Sequence, residues 1–158
     1  MERLFAPWRN EYVTSGGKDA SCVLCRALQD PESASLVVHV AELNGVVMNL
    51  YPYGSGHVMI APRRHVGRLA EATPEELSEM MALARRLEEV LRDAYRPDGI
   101  NLGMNLGKPA GAGVADHIHM HVVPRWVGDT NFMSVVGQTR VISEDPREAC
   151  ARLRAYFP

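Results

Sequence analysis

The 158-residue chain has no long hydrophobic run and no excess of charge of either sign. No segment approaches the roughly 18 consecutive apolar residues of a membrane-spanning helix. The first residues also lack the apolar core and cleavage site of a secretory signal. Seventeen basic and 19 acidic side chains give a net charge of −2, whereas proteins that bind nucleic acid by neutralising phosphates are normally basic. We therefore expect a cytoplasmic protein that binds neither membranes nor nucleic acid. A small anionic ligand remains compatible with this charge.

Cysteine is scarce, but two of the three cysteines, Cys22 and Cys25, are separated by only two residues. In a reducing compartment such a pair is more typical of a metal or redox motif than of a structural disulfide. No thioredoxin-like strand precedes it, which disfavours a redox dithiol. The pair alone supplies two of the four ligands of a zinc ion. The spacing is also compatible with two small residues packed at the start of a helix.

The chain is long and apolar enough for one domain with its own core, with 46% hydrophobic residues. Strands are expected at 36–40, 45–50, 57–61 and 100–104, short helices at 24–29 and from Asp145, and a long helix at 74–95. Thr73, Pro74 and Glu76 form the capping signature of the long helix. This order favours an α+β fold with an antiparallel sheet.

The most informative segment is His117–Arg125, in which three of the six histidines occupy alternate positions. In a β-strand the three imidazoles would line one face. Buried imidazoles need polar partners, so three together indicate a site rather than a chance cluster. They are compatible with a three-histidine metal site or with a nucleophilic histidine and its supporting groups. The preceding loop, Gly107–Gly113, can supply backbone N–H donors to phosphate oxygens.

This segment resembles the signature of the histidine triad (HIT) family, whose members are nucleotide hydrolases and transferases. Gly56–Pro62 is similar to the second recurrent strand of the family. Other parts of the chain resemble the bacterial diadenosine tetraphosphate phosphorylases and hydrolases within the family: Trp8, the Cys22/Cys25 pair, Gly103–Gly107 and Pro124–Trp126.

The resemblance implies a mechanism in which His119 attacks the α-phosphorus of a nucleotide and forms a nucleotidyl-imidazole intermediate. His121 would contact the phosphate and the bridging oxygen. The backbone carbonyl of His117 would orient the His119 ring, and His57 would support the site. Water or inorganic phosphate would then take the nucleotidyl group. No set of magnesium ligands is evident, so no catalytic metal and no organic cofactor are expected.

The resemblance also implies which residues bind the substrate. Asn49 would border the ribose and base, and Asn105 would contact phosphate. The resemblance also places Arg125 near the polyphosphate chain and Trp126 against the distal part of a dinucleotide. The composition of the glycine loop itself adds Gly111, Gly113 and Lys108 as candidates for phosphate contact. The chain has Gly113 and Val114 where many relatives carry Gln or Gly followed by a hydroxyl residue. Leaving-group recognition is therefore expected to rely more on backbone N–H groups.

In relatives that contain zinc, the Cys pair is completed by two histidines, which correspond here to His65 and His117. The resemblance thus implies a structural zinc site formed by Cys22, Cys25, His65 and His117. Such a site would pin the N-terminal segment behind the histidine motif and orient that motif.

Together these observations predict a single HIT domain over 1–158. It comprises an N-terminal segment (1–35), a core (36–126) and a C-terminal extension (127–158). The expected activity is cleavage of dinucleoside polyphosphates, such as diadenosine tetraphosphate, by a homodimer, with water or phosphate as acceptor. Alternatives are a nucleoside phosphoramidate hydrolase, a non-catalytic nucleotide-binding protein and a three-histidine metalloenzyme.

Overall fold

The computed structural model describes residues 22–129 and 144–157. Within them lies one five-stranded antiparallel sheet, together with three α-helices. The strands are β1 (Val37–Val40), β2 (Asn44–Met48), β3 (Val58–Pro62), β4 (Gly99–Met104) and β5 (Met120–Arg125). Their order in the sheet is β1-β2-β3-β5-β4. The helices are α1 (Val23–Gln29), α2 (Pro74–Tyr95) and α3 (Pro146–Arg154). The predicted α+β class is confirmed, and Trp8 lies outside the described residues.

Helix α2 has the bounds that its capping residues predict. The Thr73 hydroxyl accepts from the Glu76 N–H, and the Glu76 carboxylate accepts from the Thr73 N–H, which completes a capping box. The helix ends where Arg96 adopts a left-handed conformation with a φ of 48°. Its apolar stripe packs on one face of the sheet, against residues that include Val58, Ile60 and Val122.

The opposite face of the sheet carries the histidines and is only partly covered. Helix α1 packs Leu24 and Leu28 over β1, β2 and β3. A side chain at Gly45 would clash with Leu28, since a Cβ there would lie 2.2 Å from Leu28 Cδ2. Because β4 and β5 lie at the other end of the strand order, α1 leaves room for a cavity above them.

The two edges of the sheet are treated differently. The outer edge of β1 is capped by α3, because Arg154 Nε donates to the Val37 carbonyl at 2.7 Å and Cys150 Sγ lies 3.5 Å from the same oxygen. At the other edge, β4 pairs with β5, and its residues 101–103 are exposed. Such capping protects an edge from pairing with another chain, and at β4 none of the described elements provides it.

The histidine motif is only partly a strand, which corrects the prediction of three imidazoles on one continuous strand. β5 begins at Met120, where pairing with β3 and β4 begins. Upstream of Met120 the backbone bonds to a loop instead, since the Ile118 N–H donates to the Val66 carbonyl at 2.7 Å. This loop contact brings the residues around His65 beside His117. None of the described helices is long and apolar enough to cross a membrane.

Candidate active site and metal cluster

His119 is held by the backbone of its own motif. Its Nδ1 lies 2.8 Å from the carbonyl oxygen of His117, and its side chain is buried. A carbonyl oxygen only accepts hydrogen bonds, so Nδ1 carries the proton. In the neutral imidazole the lone pair is therefore on Nε2. The local backbone thus selects the tautomer that leaves Nε2 available as a nucleophile.

His57 and His121 form a second hydrogen-bonded chain with a defined direction. The backbone N–H of Tyr53 donates to His57 Nδ1 at 3.0 Å, so the proton of neutral His57 is on Nε2. His57 Nε2 lies 3.0 Å from His121 Nδ1 and donates to it. Neutral His121 must then carry its own proton on Nε2. It can donate that hydrogen bond to a phosphate or leaving-group oxygen.

The environment keeps His121 neutral at physiological pH. Burial, and to a smaller extent the positive charge that His119 can carry, lower the pKa of His121 to about 4. The two rings meet edge to face, with centroids 4.9 Å apart. The pair therefore combines an imidazole with an accessible lone pair and a neutral imidazole that offers an N–H.

A cavity of about 360 Å³ opens beside His121 over β4 and β5. Four of its lining residues are Tyr53, Asn105, Arg125 and Asp129. Two of these, Asn105 and Arg125, are predicted substrate-binding residues, and the cavity brings them together with His121. Its size suits a small ligand.

The other predicted substrate-binding residues lie elsewhere. Asn49 lies beside His57, with its Nδ2 3.5 Å from His57 Nε2, the nitrogen that also contacts His121. Lys108 and Gly113 are exposed in the glycine loop. Gly111 (φ 93°) adjoins Asn105, whose Nδ2 lies 3.9 Å from the position of a Cβ at residue 111.

Trp126, which is predicted to stack on the distal part of a dinucleotide, does not line the cavity beside His121. It lines a separate groove with Tyr95 and Arg152. The reason is that side chains alternate between the two faces of a strand. His121, Val123 and Arg125 face the cavity, and the next residue faces away.

The four predicted zinc ligands converge. Their donor atoms, from Cys22, Cys25, His65 and His117, all lie within 4.8 Å of one another. Cys22 Sγ is 3.2 Å from His117 Nδ1, and Cys25 Sγ is 3.3 Å from His65 Nδ1. The S–N edge of a tetrahedral zinc site is about 3.5 Å for the usual bond lengths. Two thiols and two imidazoles at this spacing therefore fit zinc.

Two further features are suited to a cation. His117 is fully buried, and its second nitrogen, Nε2, lies 2.8 Å from the Pro62 carbonyl, to which it donates. This is the outer-shell bond that usually fixes a metal-binding histidine. Burial and the neighbouring Cys22 raise the pKa of the Cys25 thiol to about 11. A bound cation would compensate the thiolate charge that these surroundings disfavour.

His117 therefore takes part in both sites. Its ring belongs to the Cys/His cluster, and its carbonyl orients His119. The fold and these two adjoining sites define an α+β protein with a buried, tautomer-controlled histidine pair beside a cavity.

Comparison with known proteins agrees with this class. The family model for the HIT domain matches residues 30–127. The chain is 38% identical over 154 residues to the AP-4-A phosphorylase of Mycobacterium tuberculosis strain H37Rv, covering 91% of this chain and 78% of that protein. It is 34% identical over 95 residues to the asymmetrical bis(5'-nucleosyl)-tetraphosphatase of Schizosaccharomyces pombe, covering 60% of this chain and 52% of that protein.

A solved structure is also similar. A zinc-bound histidine triad family protein from Mycobacterium smegmatis superimposes with a TM-score of 0.70 at 29% identity, covering 86% of this chain and 92% of that one. The chain belongs to the HIT domain family, and the predicted family and enzyme class are confirmed.

Sequence reasoning missed three residues of the site. Tyr53 sets the tautomer of His57 through its backbone, which no side-chain motif can indicate. Asp129 binds Arg125, and its i+4 spacing was a signal that could have been used. Asn101 lines the cavity because it lies opposite Val123 in the sheet, and this register is not visible in the sequence.

Proposed function

We propose that this HIT enzyme cleaves dinucleoside polyphosphates, such as diadenosine tetraphosphate, at the α-phosphorus through a nucleotidyl-His119 intermediate. The observation that carries the proposal is the hydrogen bond between His119 Nδ1 and the His117 carbonyl, which leaves Nε2 with the lone pair. The names of the relatives from M. tuberculosis and S. pombe support the substrate class.

In the first step, the His119 Nε2 lone pair attacks the α-phosphorus. An N–P bond forms, and the bond from phosphorus to the bridging oxygen breaks. The departing oxygen takes the electron pair and a hydrogen bond from His121 Nε2–H. The His119 ring becomes cationic, and its Nδ1–H bond to the His117 carbonyl stabilises that charge.

In the second step, an oxygen of water or inorganic phosphate attacks the same phosphorus, and the N–P bond breaks. The electron pair returns to His119 Nε2, and the proton of an attacking water passes to the polyphosphate that was released in the first step or to solvent. Both steps demand positioning and charge stabilisation more than covalent chemistry from the protein.

Substrate binding is assigned to the two sides of His57 and His121. We propose that Asn49 borders the ribose and that Asn105 contacts phosphate. Gly111, Gly113 and Lys108 would add contacts from the glycine loop. Arg125 lines the cavity beside His121, and we assign that cavity to the leaving group. For Trp126 we infer no direct contact within one chain, because it lines a different groove.

We also propose a structural zinc ion held by Cys22, Cys25, His65 and His117. When bound, zinc would link α1 to the histidine motif and would take no part in the reaction at phosphorus. Metal analysis of protein purified without chelators should find about one zinc per chain. A zinc content near zero would contradict this assignment.

The exposed β4 edge supports a homodimer. A second copy that pairs along residues 101–103 would extend the sheet and adjoin the cavity wall, because Asn101 and Gly103 line that cavity. Light scattering of the purified chain should give twice the mass of one chain. A monomeric mass at micromolar concentration would count against the dimer.

Product analysis with diadenosine tetraphosphate tests the activity. ATP plus AMP indicates hydrolysis, and ATP plus ADP formed only with added phosphate indicates phosphorolysis. Mass spectrometry of acid-sensitive, base-stable adenylylated protein should locate the adduct on the peptide containing His119. Turnover of adenosine phosphoramidate with no turnover of the dinucleotide would favour the phosphoramidate hydrolase instead.

A further inference from the structure

The far end of the cavity contains an arginine whose charge is already compensated. Arg125 donates from Nε and Nη2 to both carboxylate oxygens of Asp129, at 2.6 and 2.8 Å. Its Nη1 donates to Asn101 Oδ1 at 2.9 Å. All three guanidinium nitrogens are therefore engaged, in the bidentate geometry that makes such pairs strong.

This ion pair lies on the leaving-group side of the histidines. His121 and Arg125 share one strand, and four residues at 3.3 Å each place their Cα atoms about 13 Å apart. The cavity lies over β4 and β5, whereas Asn49 follows β2, on the other side of β5. With the first nucleoside beside Asn49, as proposed, a substrate that crosses β5 would extend toward the Arg125–Asp129 pair.

The charges there discriminate between two kinds of substrate end. Among the described lining residues, Arg125 is the one cation and Asp129 the one anion, and His121 is neutral. A terminal phosphate that approaches Arg125 also meets the Asp129 carboxylate and must displace it. A nucleoside hydroxyl instead donates to that carboxylate and brings no charge.

We propose that Asp129 is a specificity-determining residue that makes the far end of the cavity reject a terminal phosphate and accept a second nucleoside. The inference rests on the proposed function for its substrate orientation. It explains how the enzyme could distinguish a dinucleoside polyphosphate from ATP, which offers the same adenosine and α-phosphate but ends in a phosphate.

Binding measurements test this without turnover. Calorimetry on a His119→Asn background, free of divalent cations, would compare AMP, ATP and diadenosine tetraphosphate. Asp129→Asn should lower the Kd of ATP about tenfold, because it frees Arg125 and removes a negative charge. The Kd of AMP, which does not reach the pair, should stay unchanged. That of diadenosine tetraphosphate should change less than threefold.

Asp98→Asn is the matched control. Asp98 precedes β4 and accepts from the N–H of Val127, which lies in the same turn as Asp129, at 2.7 Å. Asp98 does not line the cavity. The Asp98→Asn variant removes the same charge and should leave all three Kd values within twofold of those without it. Asp129→Glu keeps the carboxylate and should keep weak ATP binding.

The proposal is overturned if Asp129→Asn leaves ATP binding unchanged, if it tightens AMP binding equally, or if Asp98→Asn has the same effect. Should Asp129→Asn not fold, Arg125→Gln tests the idea in the opposite direction. It leaves the Asp129 charge uncompensated and should weaken ATP binding more than that of the dinucleotide; equal effects would overturn the proposal. Failure of the wild-type protein to cleave the dinucleotide would refute the proposed function, while the ATP-to-AMP comparison still decides this inference.

Discussion

Two neighbouring histidines of the motif, His117 and His119, have the same side chain but different surroundings. At His117 both ring nitrogens are occupied, one by the Cys/His cluster and one by the Pro62 carbonyl, and the ring is fully buried. At His119 one ring nitrogen is tied to the backbone and the other is left for chemistry. Hydrogen-bond partners, rather than residue type, therefore decide which imidazole joins the Cys/His cluster and which one keeps an available lone pair.

The two histidines are nevertheless connected, because the peptide carbonyl of His117 bonds to the His119 ring. His117, whose ring belongs to the Cys/His cluster, also orients the proposed nucleophile, His119, through its backbone carbonyl. Disturbing the cluster is therefore expected to affect the reacting pair, whereas removing the nucleophile should leave the cluster intact.

The largest effect is expected from His119→Asn. Removing the nucleophile should lower kcat on the order of 10⁴-fold or more, as for other residues that form the covalent bond. Zinc content and thermal midpoint should stay near those of the wild type, because the ring is not part of the cluster. Rapid-quench assays and metal analysis check this. A kcat within tenfold of the wild type would contradict the nucleophile assignment.

Breaking the cluster should destabilise the fold and the active site together. Cys25→Ser, or prolonged chelation, should remove zinc and lower the free energy of unfolding by several kcal/mol, since metal binding contributes directly to folding. Turnover should fall with zinc content. Cys150→Ala is the control, because Cys150 is buried against Val37 and lies far from the cluster in the fold. It should retain zinc. Full activity in zinc-free protein would contradict the expected coupling between the Cys/His cluster and His119.

The neutral state of His121 predicts a pH dependence of stability. The unfolded state binds a proton at this histidine below pH 6.5, but the folded state does so only near pH 4. Stability is therefore fully present above pH 6.5 and is lost as the pH falls toward 4, by at most about 3 kcal/mol. Denaturant unfolding of wild type and His121→Gln checks this. The variant should show a shallower loss over that window, and parallel curves would contradict it.

A smaller effect is expected from His57→Ala. It removes the donor that fixes the tautomer of His121 and should lower kcat about 10- to 100-fold, as is usual for orienting partners. KM should change less, because the His57 side chain is fully buried. His39→Ala is the matched control, since His39 stacks on Phe157, away from the site. An equal loss in both variants would indicate a general effect on folding.

Much of the local structure follows from the sequence. The capping residues of α2, the β-branched strands and the alternating histidines each depend on neighbours within a few positions. The periodicity of one element is therefore enough to predict them. The same holds for the family resemblance, whose motifs are contiguous. The start of β5 does not follow from the residue pattern, because pairing with β3 and β4 begins only at Met120.

Contacts between distant positions depended on packing and register. His65 reaches Cys25 across 40 positions, and Cys22 reaches His117 across 95, because a loop bonds to Ile118. The tautomers of His57 and His121 follow from a backbone N–H of Tyr53. Side-chain directions at the end of β5 decide two further features. Arg125 pairs with Asp129, and Trp126 lines a separate groove. Residue types and spacing identify the groups that can react, but their protonation and partners require the folded geometry.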